Sequence, residues 1–263
     1  MPDLLPFEVI AASRQLLSEA EAESGVLSVE FAAVTGSHSW ALATEESDID
    51  VRGVFGRPLH QILALQQILY PDTWQGSCDL LDWQLYEVAK TLRMLCAANG
   101  NVVQMFYNPL KVRCTEWGER LRELAKLCLT KRLARYFLGY ATSQRKRAMR
   151  NRGGKALIYT FREIYAGIYL IAEGEIIFDF GSLCEAIESR WFKSNVLPWA
   201  MAHRHIPTPV AIETEFEKEW LSLQEIMLRE VVHSSLPARE PEDFETRCND
   251  LLIDYRLQGM NRG

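Results

Sequence analysis

The chain has no Cys-x-x-Cys pair, no cysteine and histidine at zinc-finger spacing, and no apolar run approaching the length that spans a bilayer. Its six cysteines, at 78, 96, 114, 128, 184 and 248, are widely scattered, as small buried hydrophobes are in a reducing compartment. The N-terminal Met-Pro-Asp-Leu-Leu-Pro lacks a basic region, and Asp3 and Glu8 interrupt any signal-like apolar core. These absences predict a soluble, cytoplasmic protein with no membrane contact. An excess of positive charge is missing too: the formal net charge is −6. The molecule as a whole is therefore no polyanion binder, and any contact with nucleic acid has to come from a local basic patch. No Ser-His-Asp or Cys-His arrangement suggests a nucleophilic hydrolase, and there is no internal repeat or low-complexity segment.

What is present is 263 residues of ordinary composition, 48% hydrophobic and 24% charged, enough for one large domain or two smaller ones. Periodicity predicts a surface helix over 7–23, a strand over 27–34, a second strand over 49–55 and a short helical piece over 59–69. Pro71 to Ser77 reads as loop by composition. A strand over 79–86 and a helix over 87–98 follow. From Glu116 onward strands nearly vanish, and helices are expected at about 116–129, 130–149, 155–173, 182–192, 211–233 and 240–258. The fold class is α+β, with a small α/β layer in residues 1–112 and a helical domain in 113–263.

The stretch from Thr35 to Gly53 carries the first chemical signal. A strand runs into Gly36-Ser37, and Asp48 and Asp50 then bracket Ile49. In an extended segment Asp48 and Asp50 share one face, while Ile49 and Val51 take the other. Two carboxylates so placed can hold a divalent metal ion. A Gly-Ser turn opening a helix offers backbone N–H groups and a hydroxyl to phosphate oxygens. The competing reading, acids that cap a turn after Ser47, is disfavoured because they lead into a strand.

The second signal is basic. Arg145, Lys146, Arg147, Arg150 and Arg152 crowd a tract that ends in Gly153-Gly154. Such a run is either a solvated face or a phosphate-binding patch for an RNA or DNA strand, and the two glycines suggest a mobile rim. Lys155 and Arg162, seven apart, share a helix face roughly 10 Å apart, with Tyr159 between them. His203-Arg-His205 reads as a polar loop, and the tryptophans as core.

Gly36-Ser37 followed by Asp48-x-Asp50, within Gly-Ser-His-Ser-Trp-Ala-Leu-Ala-Thr-x-x-Ser-Asp-Ile-Asp-Val-Arg-Gly-Val-Phe, resembles the signature of the DNA polymerase β-like nucleotidyltransferase superfamily, in its bacterial and phage branch. The resemblance implies a nucleotidyltransferase palm over 1–112 and a two-metal site. Asp48 and Asp50 would hold Mg²⁺ (or Mn²⁺), with a third carboxylate on a later strand. Asp82 is preferred for that place, with Asp79 the competitor. Gly36, Ser37 and His38 would meet the phosphates of an NTP, and Lys155 and Arg162 would clamp the triphosphate from across a cleft. Where relatives have Gly this chain has Ala41, which puts a close backbone approach to phosphate in question. The Arg-x(4–6)-His pattern of the helical ribonucleases often encoded beside small nucleotidyltransferases is missing.

The implied activity is transfer of an NMP from an NTP to an acceptor hydroxyl with release of pyrophosphate. The basic tract, and resemblance to RNA-repair-associated members, tilt the acceptor slightly toward an RNA or DNA 3′ end. A protein side chain, as in AMP-transferring relatives, and a small molecule stay open as acceptors. A catalytically silent nucleotide- or RNA-binding module is the alternative from another class.

Overall fold

Val29 to Val34 are all buried in β1 (Ser28–Thr35), the signature of a strand covered on both faces. The computed structural model, which describes residues 6–24, 28–44, 47–65, 71–78, 81–151, 153–188, 192–204 and 210–259, places β1 inside a five-stranded sheet. Around it lie β2 (Ile49–Gly56), β3 (Thr73–Cys78), β4 (Leu81–Glu87) and β5 (Lys111–Cys114), in the order β3-β4-β2-β1-β5. Only β2 and β4 run parallel; the other neighbours are antiparallel.

Helix α1 (Pro6–Ser24) inserts Val9 and Leu17 against Val29, Val34, Ile49, Val51, Leu81 and Leu85, so one sheet face is apolar and covered. On the other face, α4 (Gly100–Tyr107) sets Phe106 4.9 Å from Phe31 of β1. Helix α2 (Leu59–Ile62) follows β2, and α3 (Val88–Cys96) follows β4, its start capped by Glu87 accepting from the Ala89 N–H.

Beyond β5 the described helices are α5 (Glu116–Lys126), α6 (Lys131–Asn151), α7 (Gly154–Glu173), α8 (Phe180–Ala186), α9 (Leu197–Ala202), α10 (Val210–His233) and α11 (Phe244–Gly259). A π-helical turn, Phe192–Val196, leads into α9. None of the described helices is long and apolar enough to cross a membrane.

Two compact units result, residues 1–128 with 241–263, and residues 129–240. The expected division at 112/113 differs from this, for identifiable reasons. Thr115, the N-cap of α5, donates its N–H to the Glu30 carbonyl of β1 at 2.9 Å. A Cβ at Gly118 would stand 2.3 Å from that same carbonyl, so α5 lies directly on the strand. From α11, the Tyr255 hydroxyl donates to buried Glu30 at 2.8 Å. That hydroxyl occupies the space a side chain at Gly56 would fill. Both helices therefore complete the sheet unit rather than a helical half.

The expected loop at 71–77 is corrected in the same way. Thr73–Cys78 forms edge strand β3, and the Trp83 indole lies where a Cβ of Gly76 would be, 2.2 Å away. The glycine reads as a turn residue, yet its function is to make room for an aromatic ring across the strands. Helices α4 and α9 and strand β5 were not anticipated. The expected helix 59–69 is described as helix only over Leu59–Ile62, and residues 66–70 lie outside the described residues, as does Leu27 of the first expected strand.

Candidate functional site

Strand β1 delivers the chain to Gly36, whose φ of +67° turns it out of the sheet. The next residues form a closed turn. Leu42 N–H bonds the Ser37 carbonyl at 2.9 Å, and the Ser39 hydroxyl bonds the Gly36 carbonyl at 2.9 Å. Residues 36–41 are turn, not the expected helix start. Ala41 takes φ +55°, a left-handed backbone that crowds a Cβ and suits glycine better than alanine. His38 Nε2 sits 3.5 Å from the Ser47 carbonyl, tying the turn to the residue before Asp48.

Asp50 pairs with Thr35 across β1 and with Asp82 across the parallel strand β4. Partners in register project from the same face of a sheet, on strands roughly 5 Å apart. The structure thus brings Asp50 and Asp82 together as neighbours, with Asp48 exposed just before β2. Asp79 lies outside the described residues. The Asp50 carboxylate lies directly over Gly36, where a Cβ would come 2.6 Å from Oδ2. Its Oδ1 accepts from Arg52 at 2.9 Å.

An all-carboxylate donor set on one face suits a hard, oxygen-preferring cation. Among the described residues, however, no three such side chains gather around one point. Asp50 Oδ1 is turned to Arg52, while its Oδ2 lies over Gly36.

The second unit holds a separate cationic pocket of about 430 Å³, lined by Arg147 and Tyr140 of α6, Lys155 and Tyr159 of α7, Gln144 and Arg204 among others. Among the described residues, the lining includes no carboxylate. Lys155 Nζ lies 5.9 Å from the centre of the Tyr159 ring, and the Lys155 N–H bonds the Arg204 carbonyl at 3.1 Å. Burial pushes the Tyr140 hydroxyl above its usual range, helped by the nearby Glu163 charge.

The other basic residues fall out differently. Arg162 does not line the pocket: it is fully buried and paired with Glu163 at 2.8 Å. Burial pushes the Glu163 carboxyl up, and Arg162 opposes that rise. Arg145 grips Glu217 with Nε at 3.2 and 3.1 Å and lies over Trp220, which ties it to α10. Lys146 and Arg150 are exposed on α6, and Arg152 lies outside the described residues.

The tract is helical to Asn151 rather than a mobile rim. Gly154 is buried because a Cβ there would stand 2.7 Å from the Ala200 carbonyl of α9. Arg204, set aside in the sequence as part of a polar loop, joins Lys155 through this close packing; nothing local in the sequence signals that partnership. Its neighbour His203 stacks on Trp199.

A sequence model described as an RNA repair pathway DNA polymerase beta family matches residues 10–254. The chain belongs to this RNA repair pathway DNA polymerase beta family. It is also similar to an uncharacterized protein of Methanocaldococcus jannaschii, 26% identical over 161 residues, which span 58% of this chain and 64% of that protein. The RNA repair family match encloses both the Gly36–Asp82 site and the Lys155 pocket, and the mixed sheet with flanking helices agrees with a polymerase β-like fold.

Proposed function

We propose that this family member transfers an NMP from an NTP to a hydroxyl at the end of a nucleic-acid strand, releasing pyrophosphate. The observation that carries the reading is the parallel register of Asp50 with Asp82, the Asp50 carboxylate lying over a glycine where a Cβ would crowd it. Asp48, Asp50 and Asp82 would hold Mg²⁺ or Mn²⁺, which when bound neutralises phosphate charge and makes the acceptor hydroxyl easier to deprotonate.

The chain's own residues supply the rest. Gly36 keeps its backbone clear for the Asp50 carboxylate, and the Gly36–Ser37–His38 turn meets the phosphates. Within the second unit, Lys155, with Arg147 and Arg204, lines a pocket suited to a phosphate group. Arg162, buried in its pair with Glu163, supports α7 from within instead of clamping the ligand. The acceptor oxygen bonds to the α-phosphorus, the bond to the β-phosphate oxygen breaks, and pyrophosphate leaves with that electron pair.

The Arg52–Asp50 ion pair favours one other reading, a catalytically silent nucleotide-binding module whose carboxylate is neutralised internally. Incubation with α-labelled NTPs, Mg²⁺ or Mn²⁺, and RNA, DNA and protein acceptors separates the two. Label transfer lost in Asp50→Asn and Asp82→Asn supports the transferase. Tight nucleotide binding without pyrophosphate release selects the silent module.

A further inference from the structure

Beyond Asp82, the same face of β4 continues as Gln84 and Tyr86, and the register sets Ser77, Gln75 and Thr73 of β3 opposite these three. Strand rise places Gln84 roughly 7 Å and Tyr86 roughly 13 Å from Asp82 along β4. From Gln84 outward this shelf borders a cavity of about 810 Å³, ample for one nucleoside and its neighbours.

The shelf is a neutral hydrogen-bonding surface. The Tyr86 hydroxyl donates to Gln84 Oε1 at 2.8 Å, and Gln84 Nε2 donates to Gln75 Oε1 at 3.0 Å. Two cations line the cavity, and both are held by neighbours: Lys90 Nζ bonds Asp72 at 2.9 Å and Thr73 at 2.6 Å, and Arg57 bonds the Pro71 carbonyl at 2.6 Å and Gln61 Oε1 at 2.8 Å. Lys90 in turn holds the Asp72 carboxyl below its usual range. This contrasts with the Arg147, Lys155 and Arg204 pocket, which suits phosphate. Amide side chains instead match the donor and acceptor edges of a base, and the shelf runs along β4 directly from Asp82.

We infer that this shelf is the site for the 3′-terminal nucleoside of a single-stranded nucleic acid, read by Gln75 and Gln84 with Tyr86 behind them. As an acceptor site it rests on the transferase reading above; as a strand-end binding site it stands apart from it.

The test uses the full chain and a fluorescent RNA of about 12 nucleotides ending in a 3′ hydroxyl, with its circularised form as the endless control, and reads binding by anisotropy. The linear RNA is expected to bind more tightly than the circle. Gln75→Ala/Gln84→Ala should weaken the linear RNA roughly tenfold, as loss of a two-point base contact does, and leave NTP affinity unchanged. Tyr86→Phe keeps the ring beneath Lys90 and should weaken binding severalfold; it serves as the readout if circular dichroism shows the double variant unfolded.

Absence of RNA binding, equal affinity for line and circle, or unchanged affinity in folded variants would overturn the site. Wild-type protein that prefers the linear end through Gln75 and Gln84, yet transfers no label, would remove the transferase reading and keep the strand-end site.

Discussion

At Gly36 two constraints coincide: a left-handed φ of +67° and an Asp50 oxygen 2.6 Å from where a Cβ would stand. Gly36→Ala is expected to lower stability by about 1–2 kcal/mol and to push Asp50 away from Asp82, so the urea midpoint and label transfer should both fall. Ala41 is the mirror case, a non-glycine at φ +55°. Ala41→Gly should raise stability by up to ~1 kcal/mol, seen as a higher urea midpoint, since relief of left-handed crowding outweighs the added freedom of the unfolded chain. Arg162 decides between a clamp and a core pair. Arg162→Met strands a buried carboxylate and should cost about 3–5 kcal/mol, whereas Arg162→Met/Glu163→Leu should recover most of it. NTP affinity, measured by calorimetry, is expected to survive the double variant and to fall in Lys155→Ala. Cys114 tests the pH behaviour of a half-buried thiol. Burial and the Glu119 carboxylate, 3.1 Å away, push it up to about 12. Between pH 7 and 9 Cys114 should therefore stay protonated and resist iodoacetamide, while exposed Cys78 is modified, as peptide mapping would show.

The elements depend on close approaches that a sequence displays only as glycines. Gly76 in β3 makes room for Trp83, so a segment with loop composition is a strand; Gly154 admits Ala200, so an apparent hinge is a packed junction. Gly154→Ala should force α9 and the following Arg204 away from α7 and cost about 1–3 kcal/mol of stability, as overpacking typically does, read as a lower melting temperature. It should also weaken NTP binding, because the Lys155–Arg204 backbone bond lies at the same junction. The long helices were legible because apolar residues recur at helical spacing, and β1, β2 and β4 because strand residues cluster between turn signals. Short α4 and β5, by contrast, hold too few residues for a period to register, and they are fixed by contacts such as Phe106 with Phe31 and β5 with β1.

For the whole molecule, the unit that carries the carboxylates is discontinuous: the chain leaves it after Cys128 and returns at Pro241. Removing residues 241–263 should destabilise the sheet unit, because Glu30 loses Tyr255 and Glu87 loses Arg256, its partner at 2.5 Å. Tyr255→Phe alone should cost about 0.5–1.5 kcal/mol, the net worth of one hydrogen bond, because Ser28 and Thr115 still donate to the Glu30 carboxylate; chemical denaturation of the full chain measures both effects. The net charge of −6 means that phosphate affinity has to be local. Positive charge is local in the Arg147, Lys155 and Arg204 pocket, where three cations meet and the described lining holds no carboxylate.

Sequence alone determined the Gly36-Ser37 and Asp48-x-Asp50 motif, the strand that presents Asp50, Lys155 at the start of a helix and the family resemblance. These rest on spacings of one to a few residues, and covalent geometry with backbone periodicity fixes such spacings without any distant partner. Only the tertiary structure decided that Asp82 faces Asp50, that Arg204 joins Lys155, that Arg162 is core, and that α5 and α11 belong to the sheet. Each of those depends on which surfaces bury one another across tens to hundreds of residues, and burial is settled by the packing of the folded chain as a whole.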